Sequence, residues 1–301
     1  MIKIKGILES GGKRDHTGRE INEDGIKILD LTQKSNIAVG IIMDGATGLG
    51  REYEIEPNKT PAEWYVEKFI DNLTNEIEKT PKIDLEIVLE KVILKMKTEL
   101  EEFKEKSQMQ LKEYEEPSAG IAFARMSNET TEIYFLGDVN ILIGYKNGKL
   151  ENLTNKWKKR LQKYDRQVIR KMKKISDKTG KDVLDVVKTE PIQKMLKENR
   201  NNKNTFNHKS YYVCGTEEKI IKYGTYKKIN NKNLDKIIMM TDGVEYSMLD
   251  INKKEFYNKF KVAEPKQIVE EIQQKEDEDN KCNKYHRFKK SDDKSLLLIE
   301  F

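Results

Sequence analysis

Acidic residues recur in this 301-residue chain at the ends of its most apolar stretches. Asp24 stands in Asn22-Glu23-Asp24-Gly25, immediately before an apolar alternation, and Asp44 ends the run Asn36–Met43 in Met43-Asp44-Gly45-Ala46-Thr47-Gly48. Asp242 ends another run in Met240-Thr241-Asp242-Gly243-Val244, and Asp292-Asp293 precede Leu296–Ile299. Asp138, in Leu136-Gly137-Asp138, joins two further runs. A single Asp-Gly pair is ordinarily a turn. Several carboxylates at the mouth of one buried sheet are another matter, because they repel one another unless a cation balances them. An all-oxygen set in a chain with only 3 His suits a hard divalent cation, Mg2+ or Mn2+, rather than zinc.

The elements that must carry these acids are readable from periodicity. Met1–Glu9, Gly25–Leu31 and Asn36–Met43 read as strands, the last buried on both faces. Thr60-Pro61-Ala62-Glu63 is a capping box with Pro at the first helical position, and Val66, Phe69, Ile70, Leu73 and Ile77 follow on one helical face. A second helix begins near Asp84. Strands return at Ala119–Met126, Glu132–Leu136, Asn140–Tyr145 and Lys149–Leu153, with Asn147-Gly148 as a hairpin turn, and later at Tyr211–Cys214, Lys236–Thr241 and Ser295–Phe301. A helix starts near Pro265, and a charged loop spans Lys275–Lys294. Hairpin-linked strands with two helices early and one late predict an α+β layered fold rather than strict βαβ alternation.

Charge is unevenly placed. The chain has 57 Lys+Arg against 52 Asp+Glu, a net +5, yet the 48 residues 156–203 alone carry 17 basic and 6 acidic side chains. An acidic body thus holds one basic insertion, over about 155–207, whose Trp157, Leu161, Tyr164, Val168, Met172 and Ile175 keep a helical period. Such a segment attracts phosphates, acidic partners or nucleic acid by its field. No nucleic-acid-binding signature accompanies it, so nucleic acid has only electrostatics behind it. No apolar run approaches the ~18–20 residues of a membrane span. MIKIKGILES lacks the apolar core of a signal peptide, and Cys214 and Cys282 make no disulfide framework. The expectation is a cytoplasmic protein.

Taken in order, Glu23-Asp24, Asp44-Gly45, Gly137-Asp138, Thr241-Asp242-Gly243 and Asp292-Asp293 resemble the metal-dependent protein phosphatase 2C family of Ser/Thr phosphatases, in its bacterial form. The likeness runs from about residue 5 to the C-terminus, as a single domain over 1–301 interrupted by the basic insertion. It implies a four-layer α-β-β-α sandwich, two antiparallel sheets face to face with helices outside, and two Mn2+ or Mg2+ ions at one end. It further implies that Asp44 bridges the metals, the Gly45 carbonyl ligates one, Asp242 and Asp292 complete the other's shell, and Asp24 with Glu23 acts partly through water. Arg19, five residues before Asp24, matches the family's phosphate-holding arginine, for which a bidentate guanidinium is apt. The implied reaction is hydrolysis of phospho-Ser/Thr esters by direct attack of a metal-activated water.

There are departures from the pattern. Ala46 stands where many eukaryotic members have His, so no general acid is assigned, and His16 and His286 read as ordinary loop residues. Asp138 lacks the second aspartate of a third metal site, Tyr246 taking its place, which puts a third metal in doubt. The insertion occupies the place of the family's flap, and Lys158, Lys159 and Arg160 are the residues expected to dock an acidic phosphoprotein. Two other classes remain open at this stage. One is a catalytically silent phosphatase-like sensing module, the other a nucleic-acid-associated protein acting through the insertion.

Overall fold

The computed structural model describes residues 2–14, 17–46, 48–153 and 156–301. In chain order these form β1 (Lys3–Glu9), β2 (Asp24–Leu31), the short α1 (Thr32–Ser35) and β3 (Ile37–Ala46). Two long helices follow, α2 (Pro61–Lys79) and α3 (Leu85–Ser107), then β4 (Ser118–Met126), β5 (Thr130–Leu136), β6 (Asn140–Tyr145) and β7 (Leu150–Leu153). The insertion supplies α4 (Lys156–Thr179), α5 (Val183–Val187) and α6 (Glu190–Arg200). The chain closes with β8 (Thr225–Asn230), β9 (Leu234–Met240), α7 (Lys253–Lys259), α8 (Pro265–Glu278) and β10 (Lys294–Glu300).

The strands make two five-stranded antiparallel sheets, one ordered β1-β10-β9-β6-β7 and the other β2-β3-β4-β5-β8. Side-chain parity explains why the central strands read as unbroken apolar runs: successive residues face opposite sides, and both sides are buried. Ile42, Ala122, Ala124 and Phe135 of one sheet meet Ile141, Ile237, Met239 and Leu297 of the other between the sheets. Their neighbours Val39, Ile41, Ile121 and Phe123 point outward onto α2 and α3. Leu142, Ile238, Leu296 and Leu298 point outward onto α7 and α8. These are the four expected layers, α-β-β-α.

The capping box forms as expected: the Thr60 hydroxyl accepts from Glu63 N at 3.1 Å and the Glu63 carboxylate accepts from Thr60 N at 2.8 Å. Three local expectations need correction, and two elements were not anticipated. Asp44 does not end its strand, since β3 runs on to Ala46. Tyr211–Cys214 is no full strand; Cys214 bridges Ala119 and Tyr211 bridges Lys203 singly, because an aromatic cluster takes over the side chains there. Strand β8, an edge strand rich in lysine, and the seven-residue α7 carry too weak a pattern to be anticipated. The charged loop is shorter than 275–294, since α8 extends to Glu278 and the remainder folds around Asp279. That carboxylate accepts from the backbone N–H of Asn283, Lys284 and Tyr285 and from Arg287.

The insertion is a small helical unit with its own core of Val168, Met172, Val186 and Ile192, against which Phe288 packs. It is stitched to the body where it leaves and where it returns. On leaving, Trp157 meets Tyr212 edge-on at 4.6 Å and donates Nε1–H to the Tyr223 carbonyl at 3.0 Å. On returning, buried Lys203 donates to the Glu116 carbonyl at 3.0 Å. Burial pulls the Lys203 ammonium down to about 7, with Arg200 adding to the effect and Glu116 and Glu113 opposing it. Between about pH 7 and the ordinary lysine range the unfolded chain therefore binds the extra proton. Stability from this group rises with pH across that window, by at most about 1.4 kcal/mol per unit. Lys203→Met removes the effect. The Tm advantage of that variant over wild type is therefore expected to be largest near pH 7 and to shrink toward pH 10, whereas a pH-independent difference would show that the folded chain does not hold Lys203 neutral.

Candidate active site

Asp24 and Asp44 are direct cross-strand partners in the β2–β3 pairing, so their Cα atoms are only about 5 Å apart. The sheets converge on this point from opposite sides. Asp242 follows β9 and Asp292 precedes β10, two neighbouring inner strands of the facing sheet. Register links the groups: the Thr241 hydroxyl donates to Asp24 Oδ2 at 2.7 Å, and Asp242 N donates to Asp44 Oδ2 at 3.2 Å. Asp138, between β5 and β6, completes the ring, reached through a turn in which Gly137 has φ +93°.

The Asp44-Gly45 pair is not a chain reversal, whereas Asp242-Gly243 is a turn closed by Val244 N–H to the Thr241 carbonyl at 3.2 Å. Gly45 lies within a strand, and a Cβ placed on it would stand 2.1 Å from the Glu23 carbonyl oxygen. A Cβ on Gly243 would stand 1.9 Å from the Asp293 carbonyl oxygen. Glycine follows each aspartate because neighbouring backbones approach too closely for any side chain. This close approach is what lets carboxylates from different strands share one small region.

Their electrostatics follow. Burial, then the charge of Asp242, Asp24, Asp138 and Asp292, pushes the Asp44 carboxyl well above the usual carboxylate range. Asp24 is raised in the same direction by burial and by Asp292, Asp293 and Asp242, against the hydrogen bond from Thr241. Asp242 is open to solvent yet sits at the floor of a cleft, withdrawn from bulk water. That withdrawal, with Asp292 and Asp138, pushes it up to about 8. The cleft encloses about 540 Å³ between α4 and residues 285–289. Asp138, Asp242 and Asp292 line it together with Lys158 and Asp165 of α4.

Among the described residues no three His, Cys, Asp or Glu side chains converge as a finished metal cage. Each acid is instead tied to a donor of its own: Asp24 to Thr241, Asp44 to Asp242 N, and Asp292 to Lys289 and Asp293 N. The donor set nonetheless fits hard divalent cations, being all oxygen and gathered against its own repulsion.

The structure thus brings together Asp24, Asp44, Gly45, Asp138, Asp242 and Asp292. Other expected site residues lie elsewhere. Arg19 donates through both terminal nitrogens to Glu63, at 2.8 Å each, so its guanidinium braces the start of α2. Glu23 directs its carboxylate to the Thr60 hydroxyl at 2.7 Å and to Lys13, while its backbone N–H donates to Asp293. Lys158 is 4% exposed and donates to the Asp138 carbonyl at 2.7 Å, which corrects its assignment to an outward docking face. Lys159 is exposed, and Arg160 donates to the Ser210 carbonyl at 2.7 Å. His286, read as an ordinary loop residue, lines the cleft with Nδ1 2.8 Å from the Cys282 carbonyl; His16 and Thr47 lie outside the described residues. Tyr246, where a third metal's aspartate is missing, packs on Phe256.

Sequence reading missed two cleft residues, Asp165 and Lys289. Asp165 carried a usable signal: with Lys158, Gln162 and Ile169 it falls on one face of α4, so a helical wheel of the insertion isolates it. Burial and the nearby Asp138 push its carboxyl up to about 7, against Lys158. Lys289 had no signal, being one of several lysines in a charged loop. Partial burial opposes its charge, but Asp292, Asp242 and Asp44 outweigh this and hold its ammonium protonated.

No curated protein sequence matches the chain. Several solved structures share its fold. The serine/threonine phosphatase Stp1 from Staphylococcus aureus superposes with a TM-score of 0.57 at 14% identity, covering 100% of this chain and 95% of that one. The Mycobacterium tuberculosis serine/threonine phosphatase PstP/Ppp superposes at 0.55 and 11% identity, covering 100% and 98%. A PstP catalytic domain solved in complex with two manganese ions gives 0.53 at 11% identity, covering 99% and 97%. The sequence profile described as protein phosphatase 2C matches residues 12–279. With the acids in family order and in the family's layered fold, the chain belongs to the protein phosphatase 2C family of serine/threonine phosphatases.

Proposed function

We propose that this chain hydrolyses phosphoserine and phosphothreonine esters of protein substrates, in the cytoplasm, with two divalent cations, Mn2+ or Mg2+. Asp24, Asp44, Asp242 and Asp292, with the Gly45 carbonyl, would hold them. The observation that carries this reading is the cross-strand pair Asp24–Asp44 at the end of the sandwich, crowded by Asp242 although nothing in folding alone calls for it. When bound, such ions supply an acidified water as nucleophile and neutralise charge on the phosphoryl group.

The chain's own residues do the rest. Asp44 is the central acid, paired with Asp24 across the strands and hydrogen-bonded to Asp242 N, and is therefore the one suited to serve both ions. Thr241 and Asp242 N orient the two carboxylates before any ion arrives, which reduces the reorganisation needed at binding. Asp138 and Glu23 are outer members that act through water. Arg19 assists phosphate binding only if it leaves Glu63, and no third ion is invoked. The exposed lysines of α4, Lys159 among them, present positive charge beside the cleft to an acidic phosphoprotein.

Phosphate release from para-nitrophenyl phosphate and from a phosphothreonine peptide tests this. Turnover is expected with Mn2+ or Mg2+ and is expected to vanish with EDTA. Asp44→Ala is expected to lower kcat by about 10²–10³-fold, the equivalent of several kcal/mol of lost cation stabilisation. A folded protein that binds Mn2+ but turns over neither substrate would mark a silent sensing module instead.

Gly45→Ala provides a second check. The added methyl must push the Glu23 backbone away, at about 1–3 kcal/mol, and so separate Asp24 from Asp44. Weaker Mn2+ binding alongside a lower Tm is expected, whereas unchanged Mn2+ affinity would show that this close approach does not build the site.

A further inference from the structure

The insertion places a buried cation in the cleft. Lys158 lies in the first turn of α4, immediately after the Trp157 anchor, and is 4% exposed. Its ammonium has three donors. One goes to the Asp138 carbonyl at 2.7 Å, and among the described residues Lys158 forms no ion pair with a carboxylate. A buried charge with a single neutral partner is poorly compensated. Yet Lys158 lines the same cleft as Asp138, Asp242 and Asp292, and its charge acts on Asp165, Asp242 and Glu245.

Four cationic side chains of lysine and arginine line this cleft, Lys158, Arg166, Arg287 and Lys289. Lys289 is held by Asp292, Arg287 by Asp279, and Arg166 is exposed with its Nε–H on the Gln162 carbonyl, which leaves Lys158 as the buried one without a carboxylate partner among the described residues. We propose that Lys158 is the insertion's contribution to catalysis, its two remaining N–H groups binding oxygen atoms of the substrate's phosphoryl group. This rests on the phosphatase reading above. It gives the insertion a role inside the site, distinct from any docking on its outer face. The Asp138 carbonyl fixes the ammonium in place, so the charge needs little ordering when substrate arrives. The same ammonium offsets part of the repulsion among Asp138, Asp165 and Asp242 while the cleft is empty of substrate.

The test measures inhibition by inorganic phosphate, with kcat and KM for para-nitrophenyl phosphate, on the Mn2+-loaded protein. Lys158→Met is expected to raise the phosphate inhibition constant by about 10–100-fold, as loss of hydrogen bonds to a charged group predicts, with kcat also reduced. Lys158→Arg is expected to recover most of the phosphate affinity. Lys174→Met removes one charge from an exposed position of the same helix and is expected to change the constant less than about twofold, since exposed charges are largely screened. Mn2+ affinity, read by electron paramagnetic resonance, is expected to be unchanged or tighter in Lys158→Met, because a competing cation has gone. Should that variant misfold by circular dichroism, Lys158→Gln retains a donor for the Asp138 carbonyl without the charge and takes its place. Unchanged phosphate inhibition in a folded variant, or weakening that merely follows a loss of Mn2+ binding, would overturn the inference. An inactive wild type would instead overturn the phosphatase reading itself.

Discussion

Repulsion between carboxylates at one end of the sandwich is the constraint on which the rest of the site depends. Five aspartates, two on neighbouring strands and three from separate connections, are brought to one place and are partly withdrawn from water. Such a cluster weakens a fold that holds it ionised. Asp24 and Asp44 both have carboxyls raised above their unfolded range, so the folded chain keeps their protons longer. Without ions their contribution to stability falls as pH rises from the ordinary carboxylate range toward those raised values. Cations bound to the folded state alone would reverse this by mass action. Clustering of this sort persists through function rather than through folding.

The body resists the repulsion with short-range geometry. Two glycines permit backbone contact, a threonine hydroxyl and a backbone N–H fix two of the carboxylates, and a clamp at Asp279 holds the loop that leads to Asp292. The basic insertion works from outside. Its net charge suggests a surface for acidic partners, but the residue nearest the reactive end, Lys158, turns inward. One segment therefore has two electrostatic roles, set by which face of α4 a lysine occupies.

Much of this was legible in the sequence. The strands that parity buries on both faces appear as short unbroken apolar runs, and the α2 start is spelled out by Thr60-Pro61-Ala62-Glu63. The order of the acidic motifs points to the site, because each acid sits where an apolar run stops. What was hidden depended on partners far away in sequence. The pairing of Arg19 with Glu63 was hidden because nothing local reveals a partner 44 residues on. Lys158 and Lys159 are indistinguishable in composition, and only the helix's contact with the body separates them. Strand β8 is an edge, so its exposed lysines mask the period. Gly45 looked like a turn residue because sequence does not show how near another backbone will pass.

The placement of β10 has a further consequence. It lies between β1 and β9, and the adjacent Asp293 carboxylate accepts from Gly11 N and Glu23 N, each at 2.8 Å. The first and last segments of the sequence therefore interlock at the reactive end, across about 280 residues. Contacts of such high sequence separation form late in folding and slowly. During synthesis, the sheet carrying Asp242 stays open between β1 and β9 until residues 294–300 emerge from the ribosome. A chain that has not yet added β10 therefore leaves the edges of β1 and β9 unpaired, prone to aggregate, and lacks a complete site. The acids of the site are gathered only once β10 slides between β1 and β9.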